Sequence, residues 1–402
     1  MTPVLESPVA ARAGARATYA AFIANGFAFA SWAARIPQVR DQLELSASEL
    51  GLLLLAIAAG SLVALPLAGI IVARLGSRRT VTAMAVVNGL ALSLVAVGQV
   101  YGLLPVVIGL IAFGFATGAW DVAMNVQGAL VERRLGRAIM PRFHAGFSIG
   151  TVTAALLGAG MVALDISVVT HLLIVAGLVV VVVPLAVRGF ISDADSSEAP
   201  KPTTGTQRTL AAWREPRTLL VGLFVLAFAF AEGTGNDWTT IAFIDSYGTS
   251  ATVGTLGFAV FLTAMTVGRW FGPGLLDRYG RVPVVRGLAG VSLLGVLLFV
   301  FGGSTPLAFV GAVLWGAGLS LGFPVGMSAG ADEPEMASAR VSVIASIAYT
   351  AFLGGPPLIG FLGEESSVLR AITAVAVLLA VAILIAGAIR PPVTAPADPA
   401  AA

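Results

Sequence analysis

The chain has 402 residues, of which 57% are hydrophobic and only 11% are charged, and its mean hydropathy is +0.94. So little polar surface cannot enclose a core in water, which excludes an ordinary soluble domain and indicates that lipid is the solvent. The net charge of +2 gives no indication of a nucleic-acid partner. With no cysteine and only two distant histidines, the sequence offers no metal site, and we expect no cofactor.

Apolar stretches of about twenty residues, each long enough for one bilayer crossing, recur along the chain. Lipid leaves no water to satisfy backbone groups, and no alternation typical of a β-barrel is visible, so each stretch is predicted to be a helix. The sequence therefore predicts an all-α membrane protein with twelve spans. Their limits are 17–36, 49–73, 80–100, 104–131, 143–163, 168–188, 217–243, 252–275, 283–302, 306–328, 339–362 and 367–389.

A polar segment divides the twelve spans into two sets of six. We expect an N-terminal segment at 1–16, a first six-helix half at 17–188, a linker at 189–216, a second half at 217–389 and a tail at 390–402. If the N-terminus is cytoplasmic, 19 of the 23 Lys and Arg residues lie on the cytoplasmic side. The bias of basic residues towards the cytoplasm therefore places both termini inside, with the linker and the tail.

The two halves share a glycine-bearing charged turn after their second span. The later copy reads GRWFGPGLLDRYGR over residues 268–281, and the earlier copy reads GIIVARLGSRR over residues 69–79. The constant offset between them is about 204 residues, as expected for an internal repeat. The paired positions are Arg74 with Arg278, Gly76 with Gly280, Ala73 with Asp277, Gly118 with Gly322, and Gly150 with Gly354.

These two turns resemble the loop signature of the major facilitator superfamily, roughly GxxxDRxGRR, although the first copy has lost its acid. The resemblance implies twelve helices in two pseudo-symmetric halves that transport a solute by alternating access, and no enzymatic activity. It also implies that the charged turns gate the cavity at the cytoplasmic face. The gating candidates are Gly69, Arg74, Arg78, Arg269, Asp277, Arg278 and Arg281.

Ionisable residues within a span are costly, by roughly 2.5 to 3.5 kcal/mol on insertion scales, and so indicate function. In the fourth span, Asp121 and Asn125 lie four residues apart on one helical face. We expect this face to line a cavity, with Asp121 as a proton or cation site and with Asn125 and Gln127 as substrate contacts. The alternative is that the two amides only form hydrogen bonds between helices.

The seventh span contains AEGTGNDW, in which Glu232 and Asn236 also lie four residues apart. Two glycines loosen this helix, which favours a moving site. Glu232 is therefore a candidate for proton coupling, and Asn236 and Asp237 are candidates for substrate binding. The alternatives are a static ion pair of Glu232 with Arg35 or Arg269, and a pairing of Asp237 with Arg35.

Three further substrate contacts are predicted from the first and eleventh spans. Asn25 and Trp32 share a face of the first span, and Tyr349 begins YTAFLGGPP, the stretch of the eleventh span that the repeat pairs with FHAGFSIG of the fifth. A Trp at this position is equally typical of a membrane-interface anchor. With Pro324 predicted to kink the tenth span, we expect the cavity to be lined by spans one, four, seven and ten.

The motifs SWAARIP, DVAMNVQG, FHAGFSIG, EGTGNDW and GFPVGMSAG resemble a bacterial branch of the superfamily that includes rhizopine-locus (MosC-like) membrane proteins. This branch is more distantly similar to fucose:proton symporters. The likeness implies a monomer in the bacterial cytoplasmic membrane that moves a small polar solute such as a sugar, polyol or amino sugar, with protons as the coupling ion. Export of drug-like or cationic metabolites and a non-transporting sensor are the alternatives. No Walker-type GxxxxGK[ST] motif occurs, so ATP hydrolysis is excluded.

Overall fold

The structure, a computed structural model, describes residues 8–136, 139–193, 206–333 and 335–391. Parts of three expected segments lie outside the described residues, namely 1–7 of the N-terminal segment, 194–205 of the linker and 392–402 of the tail. Throughout the described ranges the secondary structure is helical, without strands. The predicted all-α class is therefore confirmed.

The first half contains seven helices. The short α2 follows the first span directly, and the other six are the predicted spans. These helices are α1 (Pro8–Ala33), α2 (Ile36–Gln42), α3 (Ala47–Leu75), α4 (Ser77–Gly98), α5 (Leu103–Leu135), α6 (Met140–Ala163) and α7 (Val168–Ala186).

The second half follows the same order after a short connecting helix, α8, and its tenth and twelfth spans are each split in two. The helices are α8 (Thr206–Ala212), α9 (Pro216–Tyr247), α10 (Ala251–Tyr279), α11 (Arg281–Phe301), α12 (Thr305–Leu319), α13 (Gly322–Gly330), α14 (Ala337–Glu365), α15 (Val368–Ala371) and α16 (Thr373–Ile385).

Eleven helical segments within the described ranges are long and apolar enough to cross a membrane. Together with the long helix α1 they form the predicted set of twelve spans. The helix α1 begins at Pro8, well before the predicted start of the first span. The tenth span is interrupted at Ser320 and Leu321, so Pro324 lies in the first turn of α13, where proline costs no helical hydrogen bond.

The internal repeat extends to the ends of its helices. The helices α3 and α10 both have 29 residues, and each begins after a serine cap, Ser46 or Ser250, whose hydroxyl accepts a backbone N–H three residues later. They end at Gly76 (φ 78°, ψ 158°) and Gly280 (φ 78°, ψ 165°), a conformation that strongly favours glycine. The glycines of the charged turns therefore have a backbone role in both halves.

Within each half the helices pack in the same pattern. The helix α1 packs on α6 and α9 packs on α14, while α5 and α12 each pack between the two spans before them. The halves meet along α3 with α14 and along α6 with α10. We call the end of the bundle that carries Gly76 and Gly280 the motif end, and the end that carries Ser46 and Ser250 the far end.

Glycines permit the closest helix contacts. A Cβ at Gly60 of α3 would lie 2.0 Å from the Ile111 carbonyl oxygen of α5, and a Cβ at Gly51 would lie 2.5 Å from the Pro356 carbonyl oxygen of α14. Backbone atoms cannot move aside as a flexible side chain would. Both interfaces therefore require glycine at these positions.

We expect Gly60→Ala to lower the free energy of unfolding by about 1–3 kcal/mol, because the added methyl group forces α3 away from α5. The measurement is thermal unfolding of the purified protein in detergent. The matched control is Gly177→Ala on the exposed face of α7, where a Cβ has no neighbour within 4 Å. This control should unfold at or slightly above the wild-type temperature. Equal melting temperatures for wild type and Gly60→Ala would contradict the packing described for α3 and α5.

Candidate functional site

A cavity of about 220 Å³ lies between the two halves. It is formed by α1, α3 and α5 of the first half and by α9 and α14 of the second. Spans one, four and seven contribute as predicted, whereas the lining includes spans two and eleven in place of span ten. Its polar side chains are Ser61, Thr117, Thr234, Asn236, Asp237 and Tyr349.

The helix α9 supplies a run of polar groups to this cavity. Thr234 is 3% exposed, and within the described ranges neither its hydroxyl nor the side-chain carbonyl oxygen of Asn236 has a hydrogen-bond partner. The described residues likewise offer Asp237 no hydrogen bond or ion pair. Buried polar groups are normally paired, and an unpaired one costs about 1–3 kcal/mol. This face of α9 is therefore suited to bind a polar ligand or water.

Asp121 lies on α5, one helical turn from Thr117, which lines the cavity. The amide Nδ2 of Asn125 donates to the Asp121 backbone oxygen at 2.8 Å and to its Oδ1 at 3.3 Å. The Asp121 carboxyl group is also close enough to Tyr349 for an electrostatic interaction. The structure thus brings Asp121 and Asn125 to the border of the cavity but not into its lining.

Glu232 forms an ion pair with Arg269 of α10. The Nη2 atom of Arg269 donates to both carboxyl oxygens of Glu232 at 2.9 and 2.8 Å, and the two side chains are 28% and 21% exposed. This is one of the two ion pairs that the sequence leaves open for Glu232. Arg269 lies on α10, which packs against α6 of the other half. Arg269 therefore joins the predicted coupling residue to the interface between the halves.

Asn25 and Trp32 of α1 are each 1% exposed, and neither lines the cavity. Nδ2 of Asn25 lies 3.9 Å from the Met124 sulfur, while Oδ1 of Asn25 and Nε1 of Trp32 have no hydrogen-bond partner. The burial of Trp32 is inconsistent with a membrane-interface anchor. Both residues therefore lie in the protein interior and outside the cavity lining.

Gln127 lies away from the cavity, near the motif end of α5. Its Nε2 donates to Ser77 Oγ at 2.9 Å and to the Ile191 carbonyl oxygen at 2.6 Å, and its Oε1 accepts from the Ile191 N–H at 3.1 Å. Both ends of the amide are therefore occupied within the protein. Gln127 thus connects the segment after α7 to α4 and α5. Because its amide is occupied by these bonds, we do not propose it as a substrate contact.

Among the gating candidates, Arg281 has a charged partner that the sequence did not indicate. Its Nη1 lies 2.6 Å from Asp332 after α13, and Asp332 also accepts from Arg217 at 2.9 Å. A second pair joins Arg340 of α14 to Glu215, at 2.6 Å, and the Arg340 guanidinium holds the pKa of Glu215 below its usual range. All of these contacts are within the second half.

The remaining gating candidates lie at the motif end, where they form no hydrogen bond to described residues of the opposite half. Arg74, Asp277 and Arg278 are exposed, and the Arg278 guanidinium lies 5.1 Å from the centre of the neighbouring Tyr279 ring. A Cβ at Gly69 would have no neighbour within 4 Å. Arg78 lines a separate cavity on the side of the first half that faces away from the second half.

Hydrogen bonds join described residues of the two halves at the far end. Arg40 of α2 pairs with Asp245 of α9, and the Ser48 N–H of α3 donates to Glu364 of α14 at 3.3 Å. Arg35, which is 2% exposed, donates to His171 Nδ1 and to a backbone oxygen, both at 2.9 Å. The pairings of Arg35 with Glu232 and with Asp237, left open by the sequence, are therefore not formed.

This arrangement of two like helical halves around a polar cavity defines a multi-pass membrane transporter. The chain belongs to the Major Facilitator Superfamily, whose family model matches residues 18–353. It is a transporter of that family and not an enzyme.

An uncharacterized MFS-type transporter of Yersinia pestis is 31% identical over 363 residues, which cover 90% of this chain and 92% of that one. The membrane protein MosC of Rhizobium meliloti is 28% identical over 370 residues, which cover 90% and 87% of the two chains. The predicted likeness to MosC-like proteins is therefore confirmed.

Two solved structures show the same fold at low sequence identity. The nucleoside transporter NupG has a TM-score of 0.74 and 15% identity, with 94% of this chain and 98% of NupG covered. The fucose:proton symporter FucP of E. coli has a TM-score of 0.63 and 17% identity, with 94% and 98% covered. At these identities the comparison establishes the fold, and it confirms the predicted structural likeness to fucose:proton symporters.

We expect Glu232→Gln to lower the free energy of unfolding by about 1.5–3 kcal/mol, because it leaves Arg269 without its carboxylate. The double variant Glu232→Gln with Arg269→Gln should recover part of this loss. Thermal unfolding of the four proteins of the cycle measures the coupling between the two residues. Glu365→Gln, at an exposed position of α14, is the control and should change stability by less than about 0.5 kcal/mol. Additive effects of the two substitutions would contradict the ion pair.

Proposed function

We propose that this protein is a secondary active transporter that moves a small polar solute across the bacterial cytoplasmic membrane by alternating access, coupled to protons. The observation that carries the proposal is the cavity between the halves, into which α9 presents unpaired polar groups. Both termini are assigned to the cytoplasm from the distribution of Lys and Arg residues.

The volume and chemistry of the cavity support a small solute. About 220 Å³ is below the 300–1,000 Å³ that is typical of sites for drug-sized ligands, which favours a sugar-sized solute over a bulky exported compound. The rings of Phe29, Phe230 and Phe352 offer apolar faces, while Thr234 and Asn236 offer hydrogen bonds. This combination suits a hydroxylated ring, and the substrates named for NupG and FucP are of comparable kind.

The carboxyl groups near the cavity differ in their freedom to exchange a proton. Glu232 is held by Arg269, whereas Asp121 has only the Asn125 amide, and the described residues provide Asp237 with no partner. Because neither aspartate has a cationic partner among the described residues, a change in protonation breaks no ion pair there. We therefore propose Asp121 and Asp237 as the residues that couple transport to protons. For Glu232 we propose a different role, in which its ion pair with Arg269 breaks and reforms during the transport cycle.

The contacts between the halves support alternating access. Polar contacts join the halves at the far end, and the charged turns at the motif end pair within one half or face solvent. We interpret this arrangement as a state closed at the far end. In the Arg40–Asp245 pair the side chains are 15% and 39% exposed, so solvent screens the pair only in part and the far end can open at a moderate cost.

Export of cationic metabolites is the second candidate, since Asp121 and Asp237 would also attract a cation. The two candidates differ in the solute, and a single ligand screen separates them. A non-transporting sensor predicts binding without flux.

We expect sugars, polyols or amino sugars to raise the melting temperature of the purified protein, and Asp237→Asn to weaken the best ligand about tenfold or more. The measurement is a thermal-shift titration. Glu365→Gln, which also replaces a carboxyl group by an amide, is the control and should bind as the wild type does. Stabilisation by lipophilic cations alone would support the exporter. An unchanged affinity in Asp237→Asn would contradict the assignment of the cavity.

We expect Asp121→Asn to abolish uphill uptake of the identified solute into proteoliposomes under an imposed pH gradient while counterflow continues. The reason is that an amide cannot carry a proton, although it can still accept and donate hydrogen bonds to a solute. Unchanged accumulation against a gradient in this variant would refute Asp121 as a coupling residue. A complete absence of counterflow in the wild type for every stabilising solute would favour the sensor.

A further inference from the structure

A second cavity of about 830 Å³ lies between α4 and α7 at the motif end, on the side of the first half that faces away from the second half. Three arginines surround its polar part: Arg78 and Arg79 in the first turn of α4, and Arg188 just after α7. Among the described residues, no carboxyl group is part of its lining. The three arginines therefore concentrate positive charge at the level where the helices leave the membrane.

These arginines have no partner within the part of the chain that the structure describes. Ser77, their neighbour on α4, is instead bonded to Asp193, which accepts from its hydroxyl and its N–H. Three exposed guanidinium groups that share one cavity repel one another, and an anion would remove that repulsion. Their shared chemistry therefore points to a phosphate-type ligand.

The remainder of the cavity is apolar. Ala83, Val86 and Val87 of α4 and Pro184 of α7 form its floor. On the same part of α7, Val181, Val182 and Leu185 are about half exposed, as expected for a helix face in contact with acyl chains. A ligand in this cavity therefore meets charge at one end and hydrocarbon at the other, which favours a lipid over a free phosphate.

The repeat does not provide this site in the second half. At the offset of 204 residues, Arg78 and Arg79 correspond to Val282 and Pro283. Arg286, the basic residue nearby, donates to the Ile383 carbonyl oxygen at 3.1 Å. The cluster of three arginines is therefore specific to the first half and is not a consequence of the duplicated turn.

We propose that this cavity binds an anionic phospholipid, with the phosphate against Arg78, Arg79 and Arg188 and an acyl chain along the apolar floor. Basic pockets between helices at the cytoplasmic face bind such head groups, because each arginine near the membrane surface attracts anionic lipid. The proposal is separate from solute transport, and it gives Arg78 a lipid contact in place of the gating role implied by the family motif.

The test is native mass spectrometry of the full chain in detergent, titrated with phosphatidylglycerol, phosphatidylcholine or glycerol 3-phosphate. Phosphatidylglycerol should bind, and the triple variant Arg78→Gln, Arg79→Gln and Arg188→Gln should bind it roughly a hundredfold more weakly, at about fivefold for each arginine. Ala83→Phe, which fills the floor and keeps the arginines, should also lose binding. This second variant keeps the test informative if the triple variant does not fold.

The matched control removes three other arginines from the motif end. Arg133, Arg142 and Arg214 are exposed and line no part of this cavity, so their triple replacement by Gln should retain phosphatidylglycerol binding. Equal loss in the control, equal binding of phosphatidylcholine, or full competition by glycerol 3-phosphate would each overturn the lipid site. Unchanged binding in Ala83→Phe would refute the role of the apolar floor.

Discussion

The close approach of α3 and α14 at the far end is the contact on which the described state of the transporter depends. The backbone of α3 at Gly51 lies against the Pro356 carbonyl group, and Gly360 lies against the Ala47 carbonyl group, with no room for a Cβ at either glycine. Lipid requires the backbone groups of each span to be satisfied within its own helix, so the two halves meet through side-by-side contacts between helices. Contact at the far end leaves the polar cavity enclosed nearer the centre.

The two halves share a backbone design but have diverged in chemistry. The repeat preserves the caps and glycine turns of α3 and α10, which are determined by backbone geometry. It does not preserve the polar residues of α9. At the offset of 204, Glu232, Asn236 and Asp237 of α9 correspond in order to Ala28, Trp32 and Ala33 of α1. The duplicated scaffold therefore supports a cavity whose polar groups come mainly from one half.

The helices could be predicted from the sequence because a bilayer imposes their length and apolar character, and the repeat offset could be read from the glycines. The roles of side chains were harder to predict. Gln127 and Asp237 both appear as polar groups within apolar spans, yet one is fully bonded inside the first half and the other faces the cavity. Helical periodicity shows which residues share a face but not which neighbouring helix that face meets.

The partners of the charged residues could be predicted from the sequence only in part. The pair of Glu232 with Arg269 is one that the sequence left open, whereas no sequence feature indicated that Asp332 joins Arg217 to Arg281. Such pairs depend on tertiary packing, and sequence distance does not restrict them. The family motif likewise implies a gating role for Arg78, while the fold places this residue on the side of the first half that faces away from the second half.

The central claim is that the cavity between the halves faces each side of the membrane in turn. The chain has no cysteine, so Asn236→Cys introduces a single reactive thiol into the cavity. The most direct measurement is its reaction with a membrane-impermeant maleimide in right-side-out and in inverted vesicles. Alternating access predicts labelling in both orientations, whereas labelling from one side alone, or none from either side, would contradict the account.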